Sequence, residues 1–228
     1  AWDQVRVSVA YMELNVNIAG SHGGISVGGD GATHQALEEI ALMRIIPHMT
    51  VVVPADSAEA YEATKQAAAI DSPVYLRLGR EKVPFLESGD EFRIGKAKLM
   101  KDGSDLTIVA CGHMVYKALE AAYELRKKNI DARVINLHTP APIDSQTLIK
   151  AAKETGAVLT VEEHSVYGGM GSAVAEALVE AYPVPMKLMG TRGEFGESGE
   201  PSVLYEHFGL VERDIIREAE ALIERKSG

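Results

Sequence analysis

Residues 20–36 read GSHGGISVGGDGATHQA, and the rest of the chain is organised around them. Half of the positions from 20 to 31 are glycine, the run holds no lysine, and His22 and His34 stand twelve residues apart with Asp30 between them. A short run with strand character, NVNIAG (15–20), enters the segment, and THQALEEIALMRII (33–46) leaves it with a helical period. A strand, a glycine-rich loop and a helix in that order form the repeating unit of a parallel sheet, whose ligands bind outside the carboxyl ends of the strands. Glycine there permits positive φ and close approach of the backbone to a ligand.

Outward from the loop the alternation continues. MTVVVP (49–54) reads as a buried strand, and DSAEAYEATKQAAAI (56–70) as an amphipathic helix with Asp56 as N-cap and Glu59 three residues on; PVYLRL (73–78) is a further strand. Residues 79–92 lose all period. Beyond them DLTIVACG, DARVINLH, AVLTVEE and PMKLMG read as strands, separated by the helical HMVYKALEAAYELRKK, IDSQTLIKAAKET and MGSAVAEALVEAY, and ERDIIREAEALIERK closes the chain as a helix. The fold class is therefore α/β: two three-layer α/β units with mostly parallel sheets, the first incomplete. The expected division is 1–80, a linker over 81–91, and 92–228. Residues 1–78 supply three strands, with Trp2 and Val5 on a helix entered mid-turn. An open three-stranded parallel sheet exposes long edges, so the first unit is expected to lack its N-terminal part or to borrow it.

Bulk properties exclude several classes. The chain has 228 residues, 46% hydrophobic and 25% charged, with a formal net charge of −10. That balance argues against nucleic acid, because neutralising phosphates needs clustered Lys and Arg; it leaves room for a small anionic substrate held by one local arginine. Cys111 is the single cysteine, which rules out an intrachain disulfide framework and a cysteine-based zinc site and fits a reducing compartment. There is no apolar run of about 18 residues and no basic start with a small-residue cleavage site. The expectation is a soluble cytoplasmic protein with no membrane partner.

The loop fits no standard phosphate or metal signature. A P-loop needs Gly-Lys-Ser/Thr, and the dinucleotide pattern GxGxxG fails because His34 stands where the last glycine belongs. Two histidines twelve apart with one aspartate match no usual zinc spacing. Proton management remains: two imidazoles and a carboxylate can relay protons on a polyhydroxylated substrate. The structural alternative is a tight connection, with His34 at a helix start. Arg80 opens a charged GREK cluster where solvated arginines are common, and Arg77 alternates within its strand, facing solvent or pairing with Glu. His113 and His164 begin or precede helices and read as capping or structural, and Cys111 reads as a small core residue.

The stretch SHGGISVGGDGATHQ resembles the transketolase signature, in which a histidine is followed eight residues later by Asp and twelve later by His within a run ending Asp-Gly-x-Thr-His-Gln. LMRIIPHMTVVVPADSAEA, LRLGREKVP and VEEHSVYGGMGSAVAE resemble other segments of the same family. The resemblance implies that residues 1–80 are the later part of a thiamine diphosphate pyrimidine-binding domain and 92–228 the transketolase C-terminal domain. It implies transfer of a two-carbon ketol unit between sugar phosphates: His22 and His34 catalytic, Asp30 binding a substrate hydroxyl, and Arg80 with Arg77 holding the phosphate. Thiamine diphosphate and Mg2+ would be the cofactors, the metal held by another domain or chain. The family's activating glutamate lies well upstream of the first histidine; Glu13 is too close to match, and Gly29-Asp30-Gly31 lacks the asparagine of the metal motif. The chain is thus expected to be a C-terminal subunit or fragment, inactive alone, partnered by an N-terminal subunit or domain and homodimeric. A deoxyxylulose-phosphate synthase, a 2-oxoacid dehydrogenase beta-type component and a non-catalytic assembly module are the alternatives; the synthase family carries no histidine where His22 stands.

Overall fold

A computed structural model describes residues 1–86 and 91–227. The N-terminal turn α1 (Trp2–Gln4) runs into a π-helical stretch over Val5–Ala10, and β1 (Asn17–Gly20) leads into the glycine loop. After it come α2 (Glu39–Arg44), β2 (Thr50–Val52), α3 (Ser57–Ala67) and β3 (Val74–Arg77). The three strands pair in parallel in the order β1-β3-β2. A second sheet is built from β4 (Lys98–Lys101), β5 (Leu106–Ala110), β6 (Ala132–Asn136), β7 (Val158–Ser165) and β8 (Met186–Thr191), in the order β4-β6-β5-β7-β8. All its pairings are parallel except that of β4, which runs antiparallel on the edge. Helices α4 (Met114–Lys127), α5 (Ser145–Thr155), α6 (Met170–Ala181), α7 (Pro201–His207) and α8 (Glu212–Ser227) complete the chain. Among these, β4 and α7 were not anticipated from the sequence. The α/β class with largely parallel sheets is what the chain adopts.

Strands β5 and β7 are buried along their whole length, as strands covered by helices on both faces must be. Helix α3 starts where Asp56 predicts, with its Oδ1 accepting from the Glu59 amide at 2.9 Å. Only half of a capping box forms, because the Glu59 carboxylate accepts from the Ala55 amide instead and reaches across to the second sheet. There Lys98 Nζ and Asn136 Nδ2 donate to it, each at 2.9 Å. Backbone bonds join the sheets as well: Val51 N donates to Ala141 O and Val53 N to His138 O, both at 2.7 Å. Of the expected linker over 81–91, residues 87–90 lie outside the described residues; Leu86 N donates to Asp56 Oδ2 and Gln66 is bonded to Phe92 and Ile94, so the flanks run back along α3.

His138, fully buried beneath Phe92, has its pKa lowered to about 4 by burial, opposed by Glu59. A folded pKa below the unfolded value of about 6.5 means that the unfolded chain takes up the proton first on acidification. The stabilisation is complete above pH 6.5 and is lost as pH falls toward 4. Urea denaturation at pH 7.5 and 5.0 is expected to show the wild type losing about 2 kcal/mol more than His138→Gln over that interval. Equal losses in the two proteins would remove His138 as the source.

Candidate active site

The loop after β1 is folded back on itself and pinned at three points. Gly23 forms an isolated parallel bridge to Ala36, with Gly23 N donating to Leu78 O at 3.0 Å and Gly24 N to Ala36 O at 2.9 Å. These bonds hold the backbone beside His22 against the backbone two residues after His34. They also shorten the helix expected over 33–46: residues 33–38 serve the loop, and α2 begins only at Glu39. Between the two histidines, Ile25–Asp30 winds into a 3-10 turn. Gln35 is buried inside the fold-back, its Nε2 donating to Ile25 O at 3.0 Å and to Glu197 O at 2.8 Å.

His22, Asp30 and His34 are exposed, and His22 has φ 60, a left-handed conformation uncommon outside glycine. Strain of that kind persists where the surroundings over-determine the backbone, and it clusters at functional sites. His34 Nδ1 lies 2.9 Å from Thr33 Oγ1. Asp30 Oδ2 accepts from Arg80 Nη1 at 2.7 Å, and the same Nη1 donates to Val27 O at 2.7 Å. Arg80 therefore spends one nitrogen on the loop, and its Nε and Nη2 donate to none of the described residues. Both side chains are about half exposed, so the ion pair orients more than it stabilises.

Arg77 is placed differently. It is 3% exposed, facing neither solvent nor the surface that carries Arg80. Its Nε donates to Glu39 Oε1 at 2.8 Å and its Nη2 to Glu163 O at 2.8 Å. Two carboxylates, Glu39 and Glu163, raise its pKa further against burial. Neither His113 nor His164 caps a helix through its side chain. His113 precedes α4 without a side-chain cap bond, and His164 lies inside β7, where Nδ1 donates to Ser165 O at 2.7 Å and Nε2 accepts from Ala41 N at 3.4 Å. Burial lowers the pKa of both. Cys111 is a buried core thiol whose pKa burial pushes up.

Sequence reasoning missed the adjacent acids of β7. Glu162 accepts from Met170 N and Gly171 N, each at 2.7 Å, and burial pushes its carboxyl up to about 8 against those two amides. Glu163 faces the other way: Oε1 accepts from Ser26 N at 2.5 Å and Oε2 from the Tyr205 hydroxyl at 3.2 Å. Two consecutive acids ending a mostly apolar run, AVLTVEE, were the available signal, since buried carboxylates require donors on both faces of the strand.

Among the described residues no group of three or more His, Cys, Asp or Glu side chains is arranged to hold a metal ion. The carboxylates of Asp56, Asp144 and Glu162 close the N-termini of α3, α5 and α6, where a diphosphate could otherwise sit. Among the described residues, then, neither a metal-holding cluster nor these three helix starts offer a place for Mg2+ and its diphosphate. No described helix is long and apolar enough to cross a membrane.

An exposed histidine–aspartate–histidine loop thus lies beyond the carboxyl end of β1 in a chain of α/β class. The transketolase pyrimidine-binding domain family matches residues 1–85, and the transketolase C-terminal domain family matches residues 95–215. The chain is 47% identical over 226 residues to a 6-deoxy-6-sulfo-D-fructose transketolase subunit of Clostridium sp. (strain MSTE9), covering 99% of this chain and 70% of that relative. It is 39% identical to a 1-deoxy-D-xylulose-5-phosphate synthase of Symbiobacterium thermophilum (strain DSM 24528 / JCM 14929 / IAM 14863 / T), over 99% of this chain and 35% of that one. A solved structure described as a split gene transketolase, inactive beta4 tetramer, superposes with a TM-score of 0.92 at 47% identity, covering 99% of this chain and 73% of that one. The chain belongs to the transketolase family.

Proposed function

We propose that this chain is the C-terminal subunit, or the corresponding part, of a split transketolase that moves a two-carbon ketol unit from a ketose phosphate to an aldose phosphate. Residues 1–80 act as the later part of the pyrimidine-binding domain, 81–91 as linker and 92–228 as the C-terminal domain. The observation that carries the reading is the Arg80–Asp30 contact at 2.7 Å, which brings the two motif segments together and leaves a guanidinium edge open. Arg80 binds the sugar phosphate through that edge, whose fork matches two phosphate oxygens. Asp30 accepts from a donor hydroxyl through the oxygen that Arg80 does not use. His22 and His34 bind the substrate hydroxyls; as general acid and base they give a proton to the alkoxide that forms and take one from the hydroxyl that ionises during transfer. Arg77 supports phosphate binding from inside, by fixing the strand end from which Arg80 projects.

Carbanion chemistry belongs to thiamine diphosphate, which with Mg2+ is assigned to an N-terminal partner chain; orientation and proton movement fall to the residues above. The relative described as an inactive beta4 tetramer supports both self-association and inactivity without that partner. The test is reconstitution with the partner chain, thiamine diphosphate and Mg2+. Xylulose 5-phosphate with ribose 5-phosphate is expected to give a seven-carbon sugar phosphate, and this chain alone is expected to give none. Arg80→Ala is expected to raise the KM of phosphorylated donors about 10- to 100-fold, as loss of binding does, and to raise that of unphosphorylated donors less, since these lose only the orientation of Asp30. The synthase relative makes a second reading specific: consumption of pyruvate in place of ketol transfer would establish it.

A further inference from the structure

We infer that Glu163, at the carboxyl end of β7, is a positioning residue for the transfer reaction, and that the C-terminal unit uses its ligand crevice to hold the catalytic loop. The inference rests on the ketol-transfer reading given above.

In an open parallel sheet the ligand crevice lies where neighbouring strands send their connections in opposite directions. Here β5 connects through α4 to β6 on one side, and β7 connects through α6 to β8 on the other, so the crevice falls between the ends of β5 and β7. It is filled by the chain itself. Arg77 enters it, donating to the Glu163 carbonyl, and a Cβ at Gly112, just past β5, would lie 3.7 Å from Arg77 Nη1. The Glu163 carboxylate, 2% exposed, then reaches the loop and accepts from Ser26 N at 2.5 Å.

The loop is threaded between these two side chains. A Cβ at Gly23 would overlap the Arg77 guanidinium, and a Cβ at Gly24, which has φ +95, would overlap the Glu163 carboxyl. Ser26 belongs to the 3-10 turn that ends at Asp30, and His22 lies just before the threaded pair. One buried acceptor thus sets the path of the backbone that carries Asp30 and aims His22. Glu163 is in turn held by Tyr205, from α7, and has His113 Nδ1 at 3.8 Å. Of its two side-chain hydrogen bonds, the one to the loop, at 2.5 Å, is shorter than the one from Tyr205, at 3.2 Å.

The test uses the reconstituted complex, comparing Glu163→Ala with Glu163→Gln, which keeps an acceptor oxygen for Ser26 N. Glu163→Ala is expected to lower kcat per folded complex about 10- to 100-fold, the scale of a misaligned reacting group. Amide exchange over residues 23–31 is expected to rise at least tenfold, as a large change by the same scale, with the remainder of the chain unchanged. Glu163→Gln is expected to recover most of both. A kcat and loop exchange in Glu163→Ala close to wild type would overturn the inference, as would a Gln variant no better than Ala. If Glu163→Ala does not fold, the wild-type Ser26 amide decides: exchange at the rate of an open loop overturns the assignment, and strong protection supports it. A wild-type complex without ketol transfer would sink the functional reading while leaving the exchange result to judge Glu163.

Discussion

His34→Ala in the reconstituted complex is expected to lower kcat by about 10²- to 10⁴-fold, the span that general acid–base groups contribute. The donor KM should move little, because phosphate binding is assigned to Arg80 and the histidine's bond to the alkoxide forms mainly in the transition state. The backbone gives a reason to expect a clean result. His34 is exposed and its ring hydrogen-bonds with Thr33 Oγ1, while the fold-back is fastened by the Gly23–Ala36 bridge and by Gln35. Truncating the ring removes the proton carrier without loosening the loop. Steady-state kinetics with added imidazole make the check sharper, since a small base diffusing into the vacated space should restore part of kcat. A kcat within threefold of wild type in the absence of imidazole would end the assignment of a proton-transfer role to His34.

The split between what the chain's letters disclose and what they hide follows the reach of the interactions. Parallel strands buried on both faces announce themselves as apolar runs, so β5, β6 and β7 were legible, as was the start of α3 at Asp56. Helical period failed over 33–38. The side chains there have helix-forming letters, but the backbone is claimed by Gly23 and Gly24, a contact set by tertiary structure and invisible in local propensity. β4 was hidden for a related reason: KLMK is short, charged and on an edge, a composition that edge strands tolerate. At the candidate site, His22, Asp30, His34 and Arg80 are the residues the motif singles out, and all four are exposed. Arg77 was assigned with them and is buried with Glu39, since period-two alternation cannot tell solvent from a second packed unit. Glu163 and Tyr205 act on the loop from 137 and, through Glu163, still more residues away, a distance that no spacing rule spans.

A polar contact of the same kind joins α3 to the second sheet, and its loss should be costly. Lys98→Met is expected to destabilise the folded chain by about 3 kcal/mol, at the lower end of the range for stranding one partner of a buried ion pair. Lys98 Nζ and Glu59 Oε1 are 2.9 Å apart, with side chains 8% and 7% exposed. Without the ammonium, Glu59 retains Asn136 and the Ala55 amide as donors, which keeps the loss from the upper end. The pair itself is a poor source of net stability, because desolvating both charges consumes most of their attraction. The double variant Glu59→Gln with Lys98→Met should therefore return to within about 1 kcal/mol of wild type, the charge being gone from both sides. Urea midpoints at fixed m for Lys98→Met, Glu59→Gln, the double variant and wild type close the cycle. A Lys98→Met variant costing less than about 1 kcal/mol would mean that Glu59 finds other donors when its partner is removed, and that the two sheets are held together chiefly by the backbone bonds of Val51 and Val53.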